Sequence, residues 1–307
     1  MKNIIKIIVT IVIFIYLFKY INIHTLLAVL AKSHGGDIAI ALLLQMASTY
    51  LAAYRWSDIS SLLKFDENRF FYVASYFKGA FFNQVLPSSI GGDTVRVLDL
   101  SFKGYHKKEA LFDVFMDRII GLAGLLALNL ISTIIFFGIF KNSFSYLIIT
   151  ISGGGLLGFI FLFLLHKFHF LKNIKGLHYF YKLGIKLDHL YKNKKNLIKH
   201  IGISVGVQLL TVMALFAISK SIDIKLDFET FLIAVPPVFL LMIIPLSLAG
   251  WGIREGAMVG IFMLVYDDKA KILAMSILYG LLLIISALPG SYFWIKNKTQ
   301  ISTKADT

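Results

Sequence analysis

The sequence contains no cysteine and no recognisable nucleotide-binding loop. The absence of cysteine excludes disulfides and cysteine-ligated metal sites. The run of glycines at 153–155 follows no strand and lacks the Lys-Ser/Thr ending of a phosphate-binding loop, so it predicts a close helix contact instead. The histidines lie mostly in loops and have no metal-ligand spacing. The sequence therefore predicts neither a cofactor nor a metal ion.

Polar stretches long enough for a water-soluble domain are also missing. The longest polar-rich interval runs from about residue 167 to 199, which is short for a separate enzyme domain. Hydrophobic residues make up 58% of the chain, well above the share in soluble domains. No alternating strand pattern appears, and helices then remain as the element that can span a membrane. We predict an all-α, polytopic integral membrane protein with one transmembrane domain over residues 1–307.

Long apolar runs predict the membrane spans, because about 20 apolar residues cross a bilayer as a helix. Two further apolar stretches, 70–86 and 230–248, run into polar motifs that contain proline. The second of these is predicted to be either half of an external re-entrant pair or one of two short spans. The predicted full spans are 4–21, 38–54, 113–140, 145–166, 198–219 and 271–295.

Acidic residues and arginines are both scarce. The chain has 17 Asp and Glu against 31 Lys and Arg, and its net charge is +14. Only five of the basic residues are arginines, and many of the lysines gather in the segment 167–199. The positive-inside rule places this basic loop, and with it both termini, on the cytoplasmic side of the inner membrane. The charge pattern indicates membrane topology and lipid contact rather than nucleic-acid binding.

Two polar motifs share one spacing. The first runs from Pro87 to Arg96 and the second from Pro245 to Glu255, and each places Ser two, Gly five and Arg nine residues after a proline. A charge inside a span costs about 2.5 kcal/mol or more and usually marks function. Paired segments interrupted by Gly or Pro are the best sequence indication of a transporter's binding site. We predict broken or re-entrant helices at 83–100 and 244–256, and opposite entry sides would make them an inverted repeat.

The first motif has the elements of an anion site. Pro87 breaks the incoming helix, and Asp93 is predicted to cap the next one, with Arg96 in its first turn. Free N–H groups at a helix N-terminus together with an arginine suit a phosphate. The alternative is that Arg96 only pairs with a carboxylate, and that the motif has a purely structural role.

The second motif follows the same argument. Gly250 and Gly252 flank Trp251, and the apolar helix resumes at Arg254-Glu255. Arg254 is predicted as an anion ligand with Glu255 as its partner, and the alternative is a structural ion pair between helices.

A third charged pair, Asp117-Arg118, lies near the start of the span 113–140. Neighbouring side chains on a helix point about 100° apart, so these two cannot face one spot. One is expected to meet a motif helix while the other reaches the membrane interface. A charge cluster at the end of a helix is the alternative.

These interpretations define the candidate site, for which no catalytic residue and no metal ligand are predicted. The predicted substrate-binding residues are Arg96, Arg254, Asp93, Glu255, Asp117, Arg118, Asn83, Gln84, Ser89 and Ser247. The residues predicted to shape the broken helices are Pro87, Gly91, Gly92, Pro245, Gly250 and Gly252.

The order of these motifs resembles a known family, the membrane domain of bacterial lysylphosphatidylglycerol synthases and their stand-alone, flippase-like relatives. In that family the membrane half is implicated in moving a lipid between leaflets, and a separate cytoplasmic half makes aminoacylated phosphatidylglycerol. The resemblance does not extend to that second half, because the sequence ends at Thr307, so aminoacyl transfer is not expected. The residues that carry the resemblance are Asn83 to Pro87, Gly91 to Asp93, Arg96, Asp117 to Ile119, Gly121, Pro245, Ser247, Gly250 and Gly252 to Gly256.

The resemblance implies translocation of a phosphate-containing membrane lipid, either a phospholipid like aminoacyl-phosphatidylglycerol or a polyprenyl-phosphate glycolipid. The expected ligand is the lipid head group, held by both motif arginines at one site. A separate lipid-synthesising enzyme and a second copy of the chain are the protein partners left open. Two other functions remain: an accessory subunit in envelope glycolipid synthesis, and an intramembrane lipid-modifying enzyme that uses Asp113 and Asp117 to hold Mg²⁺.

Overall fold

The computed structural model describes residues 28–85, 91–168, 178–243 and 249–296. Within these ranges the chain is helical and contains no strand, which confirms the predicted all-α class. The predicted span 4–21 and the candidate residues Pro87, Ser89, Pro245 and Ser247 lie outside the described residues. The helices are α1 (Gly35–Leu62), α2 (Arg69–Val85), α3 (Gly91–Phe102), α4 (Lys107–Ile135), α5 (Asn142–Leu164), α6 (His178–Leu190), α7 (Lys194–Ser221), α8 (Phe228–Met242), α9 (Ile253–Phe262) and α10 (Lys269–Ala287).

Five helices in the described part of the chain are long and apolar enough to cross a membrane. They are α1, α4 and α7, together with the segments Asn142–Lys167 and Lys269–Lys296, which extend α5 and α10. The protein is therefore a multi-pass membrane protein, as predicted. Helix α4 ends at Ile135 instead of residue 140, because the chain turns there and Gly138 adopts a φ of 109°. Such an angle favours glycine.

Both motifs lie between pairs of short helices. Helices α2 and α3 have 17 and 12 residues, and α8 and α9 have 15 and 10. Each is shorter than the roughly 20 residues that cross a bilayer. Helix α2 packs against α3, and α8 packs against α9, so each motif joins the halves of a helical hairpin. The second break places Ala249, Gly250 and Gly252 at φ values of 48°, 82° and 84°, a conformation that glycine adopts at least cost.

The first hairpin is closed by direct contact between two glycines. A Cβ atom at Gly92 would overlap the carbonyl oxygen of Gly79 and the side chain of Asn83. The backbone N–H of Gly92 donates to Asn83 Oδ1 at 2.8 Å, so Asn83 on α2 satisfies a free N–H in the first turn of α3. Small residues that let helix backbones approach are a common device in membrane proteins.

The order of a long helix, a hairpin and a long helix occurs twice. It is formed first by α1, α2–α3 and α4, and again by α7, α8–α9 and α10. Helices α1 and α7 lie side by side and antiparallel, since His34 bonds to Ser221 near one end and Asp58 pairs with Lys199 at the other. Helix α2 of the first set contacts α10, and α8 of the second set contacts α4. This reciprocity is the pattern that an inverted repeat produces.

The apolar side chains divide between an internal core and an outer surface. The largest core cluster lies between α7, α8, α9 and α10, around Phe231, Phe262 and Leu215. Helix α5 instead exposes large apolar side chains such as Leu157 and Phe161. In a chain that spans the membrane these side chains are suited to contact lipid.

The close contact at Gly92 leads to a stability prediction. Replacing Gly92 with Ala inserts a Cβ against backbone atoms, which cannot move without separating α2 from α3. We expect a loss of about 1–3 kcal/mol, the usual cost of overpacking, and a lower midpoint of thermal unfolding in detergent. Gly153→Ala is the matched control, because a Cβ there meets no atom within 4 Å. Equal midpoints for the two variants would contradict the packing described here.

Candidate functional site

A buried carboxylate, that of Asp117, lies at the centre of the first charged cluster. Arg55 on α1 donates from Nε to Asp117 Oδ1 at 2.9 Å, and Arg96 on α3 donates from Nη2 to Asp117 Oδ2 at 2.7 Å. Arg55 also donates to the hydroxyl of Ser204 on α7 at 2.9 Å. The side chains of Asp117, Arg55 and Arg96 are all buried. One carboxylate therefore links three helices, and Arg55 extends the link to a fourth.

Asp93 forms the outer layer of this cluster. Its carboxylate accepts hydrogen bonds from Arg118 Nε at 2.9 and 3.0 Å and lies 3.4 Å from Arg96 Nη1. The Arg118 side chain is 51% exposed, whereas Asp117 is fully buried, so the neighbouring pair divides between outside and inside as expected. The prediction that Asp93 caps α3 is wrong, because α3 already begins at Gly91 and Asp93 lies within its first turn.

Aromatic rings hold the Arg96 guanidinium on its faces. Its central carbon lies 4.1 Å from the ring centroid of Trp56 and 4.6 Å from that of Tyr76. Such cation–π contacts stabilise a desolvated guanidinium. Within the described residues, however, Arg96 Nε has no hydrogen-bond partner although it is buried. This arginine keeps one donor free inside the protein.

Sequence reasoning missed several residues of the first cluster. Arg55 lies one residue beyond the predicted span 38–54 and was not singled out, but α1 continues to Leu62 and the side chain is buried. Lys78 was also missed. It pairs with Asp99 at 2.6 Å and is buried, although its sequence surroundings are those of an ordinary apolar helix. A charge in an apolar run was the available signal at both positions.

Asn83 and Gln84 have different surroundings despite being neighbours. Asn83 bonds to the backbone of Gly92, as described above. The side-chain oxygen of Gln84 is buried and has no partner among the described residues. Asn83 thus closes the hairpin, while Gln84 has a buried acceptor that no described residue uses.

The second cluster surrounds Arg254 and Glu255 at the start of α9, and both side chains are fully buried. Arg254 Nη2 lies 2.6 Å from Glu255 Oε1, and Glu255 Oε2 accepts the backbone N–H of Gly252 at 2.6 Å. Ser276 on α10 donates to Glu255 at 3.2 Å. The ion pair is thus formed between neighbours on one helix rather than between two helices. Glu255 neutralises Arg254 and caps α9 at the same time.

Arg254 is confined as closely as Arg96. Its guanidinium carbon lies 4.5 Å from the centroid of the Trp251 ring, and a Cβ on Gly280 would overlap Arg254 Nη2. Its Nη1 atom is buried and has no hydrogen-bond partner within the described residues. Both motif arginines therefore combine an ionic partner, an aromatic ring and a buried donor that no described residue accepts.

The two clusters have different carboxylates, because Arg96 pairs with Asp117 and Arg254 pairs with Glu255. On α1, Gln45 lies beside the second cluster, because it accepts a hydrogen bond from Tyr279, about one turn after Ser276 on α10. Arg55, on the same helix, belongs to the first cluster. Ten residues of helix separate Gln45 from Arg55, or about 15 Å along the axis. Each arginine has its own carboxylate, so the clusters form two charged centres rather than one compact ligand set.

A third group of polar residues lies at the end of α1 and the start of α7. His200 Nε2 lies 2.8 Å from Asp58, which also pairs with Lys199 at 2.6 Å. His200 Nδ1 is bonded to the Tyr191 hydroxyl at 3.0 Å. Burial raises the pKa of Tyr191 above its ordinary value, so the phenol stays protonated.

The family of the chain follows from a comparison with known proteins. A family model described as the lysylphosphatidylglycerol synthase TM region matches residues 3–290. The chain belongs to this family. Curated proteins gave no match. The matched model describes the membrane region of these synthases, so the lysylphosphatidylglycerol synthase TM region is the part that this chain shares, and membership indicates a role connected with membrane lipids.

The central position of Asp117 in this TM-region protein leads to a second prediction. Asp117→Asn keeps the shape of the side chain but removes the charge that neutralises Arg55 and Arg96. We expect a loss of about 3–5 kcal/mol in unfolding free energy, because buried charges are left uncompensated. Unfolding in detergent measures it.

The control for Asp117→Asn is Glu67→Gln. Glu67 forms an outer ion pair with Lys103 at 3.3 Å, and the lysine side chain is 50% exposed. Removing such a pair should change the unfolding free energy by no more than about 1 kcal/mol. Similar losses in the two variants would contradict a central role for Asp117.

Proposed function

We propose that this protein binds the phosphate of a membrane lipid at its hairpin breaks and helps that lipid cross the bilayer. The observation that carries the proposal is a pair of buried guanidinium donors, Arg96 Nε and Arg254 Nη1, which have no partner among the described residues and lie close to the breaks. A buried polar group without a partner costs about 1–3 kcal/mol, and more when it is charged. A ligand that accepts hydrogen bonds at these donors would recover that free energy.

A phosphate suits this arrangement better than a neutral ligand does. The guanidinium group offers several N–H donors in one plane, and phosphate oxygens accept two of them at once. The first turns of α3 and α9 lie directly at the breaks, and helix N-termini favour anions. The carboxylates of Asp93, Asp117 and Glu255 pair with the two motif arginines while no lipid is bound.

Family membership supports a membrane lipid as the source of the phosphate. The candidates are a phospholipid like aminoacyl-phosphatidylglycerol and a polyprenyl-phosphate glycolipid. We place the protein in the inner membrane with both termini in the cytoplasm, on the basis of its lysine-rich segment 167–199. A separate enzyme would synthesise the lipid.

The geometry gives less support to the alternative of a metal-dependent lipid enzyme. Asp117 is bound to two arginines, whereas Asp113 accepts hydrogen bonds from Trp56 and Ser60. The two carboxylates thus belong to different groups of contacts. In the described residues, no three His, Cys, Asp or Glu side chains come together in a way that could hold a metal ion.

The test uses vesicles that contain the purified protein and a fluorescent phosphatidylglycerol. Arg96→Lys and Arg254→Lys keep the charge but lose the planar set of donors. We expect each to slow translocation about tenfold or more, which corresponds to a lost charge-assisted hydrogen bond of roughly 1.5–3 kcal/mol. The rate is followed from the fraction of label that dithionite in the outer solution can reach.

Arg69→Lys is the control, because Arg69 is the arginine that the structure leaves exposed on α2, and its rate should equal that of the wild type. Unchanged rates in both motif variants would reject the assignment of the site. If the wild type moves no labelled lipid, an accessory role in glycolipid synthesis becomes the better hypothesis. Mass spectrometry of lipids that co-purify with the wild type and with Arg96→Lys would identify the lipid class.

A further inference from the structure

Asp113 is a fully buried carboxylate with no ionic partner among the described residues. Its Oδ2 accepts the indole N–H of Trp56 at 2.6 Å, and its Oδ1 accepts the hydroxyl of Ser60 at 2.8 Å. Both donors are neutral. Asp117, one helical turn further on, is held by two arginines instead. A buried carboxylate without a cation carries the full cost of desolvation, and a proton is the simplest ligand that removes it.

The position of Asp113 connects it to the first cluster through one side chain. Trp56 donates its N–H to Asp113 and presents its ring to the Arg96 guanidinium at 4.1 Å. The charge of Asp113 is therefore sensed by Arg96 across a single indole ring. Besides Arg96, the titratable groups that face Asp113 are Tyr72 on α2 and Asp117 on its own helix.

The charges of this region balance only while Asp113 is ionised. The region holds three arginines, at positions 55, 96 and 118, and three carboxylates, at positions 93, 113 and 117, although Asp113 forms no ion pair among the described residues. The second polar pair, Lys78 with Asp99, is neutral by itself. Protonation of Asp113 would leave the region with one net positive charge, which a singly charged phosphate diester would compensate.

We propose that Asp113 is a proton-binding site, and that it takes up a proton when the first cluster binds a lipid phosphate. This inference rests on the proposed function, because the anion is the phosphate held at Arg96. The proton and the phosphate stabilise each other, since each supplies the charge that the other lacks. By linkage, raising the pH weakens phosphate binding, and binding of phosphate favours the protonated acid.

The first experiment measures translocation of fluorescent phosphatidylglycerol in phosphatidylcholine vesicles between pH 5 and 9. In the wild type, the rate should fall as the pH rises, with a slope approaching about tenfold per pH unit, the limit for one proton. Asp113→Asn imitates the protonated acid. Its rate should stay near the low-pH rate of the wild type and change less than about twofold over the range.

Two further variants make the test specific to this carboxylate. Glu109→Gln removes an exposed acid one helical turn before Asp113 and should keep the wild-type slope. Ser60→Ala removes one hydrogen bond to the carboxylate, so it should move the midpoint of the curve to higher pH. A wild-type rate that does not vary with pH, or a wild-type slope in Asp113→Asn, would overturn the inference while leaving the proposed function intact.

A second measurement does not depend on translocation. Infrared difference spectra of the wild-type protein in nanodiscs report the C=O stretch of a protonated carboxylic acid. Replacing phosphatidylcholine with phosphatidylglycerol at constant pH should increase this band, and the increase should be absent in Asp113→Asn. No increase in the wild type, or an equal increase in the variant, would overturn the inference. If the band increases but no lipid moves, the proton site stands and the translocation proposal fails.

Discussion

The two oxygens of Asp117 hold together the half of the molecule that contains the first motif. They bind guanidinium groups from α1 and α3, while the carboxylate itself belongs to α4. Inside a membrane protein such charges are tolerable only when they neutralise each other, so the three helices must meet at this point. The hairpin of α2 and α3 is consequently anchored to two long helices by ions, and to itself by the contact of Gly79 with Gly92.

In the second motif the buried charges are neutralised by local contacts. Glu255 neutralises the arginine beside it and also binds the backbone of Gly252, so the ion pair needs no carboxylate from another helix. Helix α10 contributes a hydroxyl from Ser276, and Gly280 on the same helix has no side chain that would overlap the arginine. The repeated architecture therefore has unequal centres: the first couples several helices, and the second is largely contained within one.

Much of the fold could be predicted because the bilayer restricts the choices. Long apolar runs without alternation permit only helices, and α1, α4, α5, α7 and α10 appear where those runs lie. Breaks in both helices were predicted from Gly and Pro in the motifs, although the sequence left two short spans open as an alternative at the second. Helix ends were less certain, as at Ile135, because a single turn around Gly138 decides them. The carboxylate partners of Arg55 and of Lys78 could not be predicted, because each partner lies far away in the sequence.

The sequence by itself determined the class of the protein, its broken helices and the identity of the charged residues, because hydrophobicity and helix breaking are local properties. The tertiary structure decided which charges meet. It assigned Asp117 to two arginines, left Asp113 with neutral donors, and gave Arg254 a different carboxylate from that of Arg96. These outcomes depend on how α1, α3 and α4 pack, and a buried charge is stabilised or exposed to protonation according to the neighbours that packing supplies.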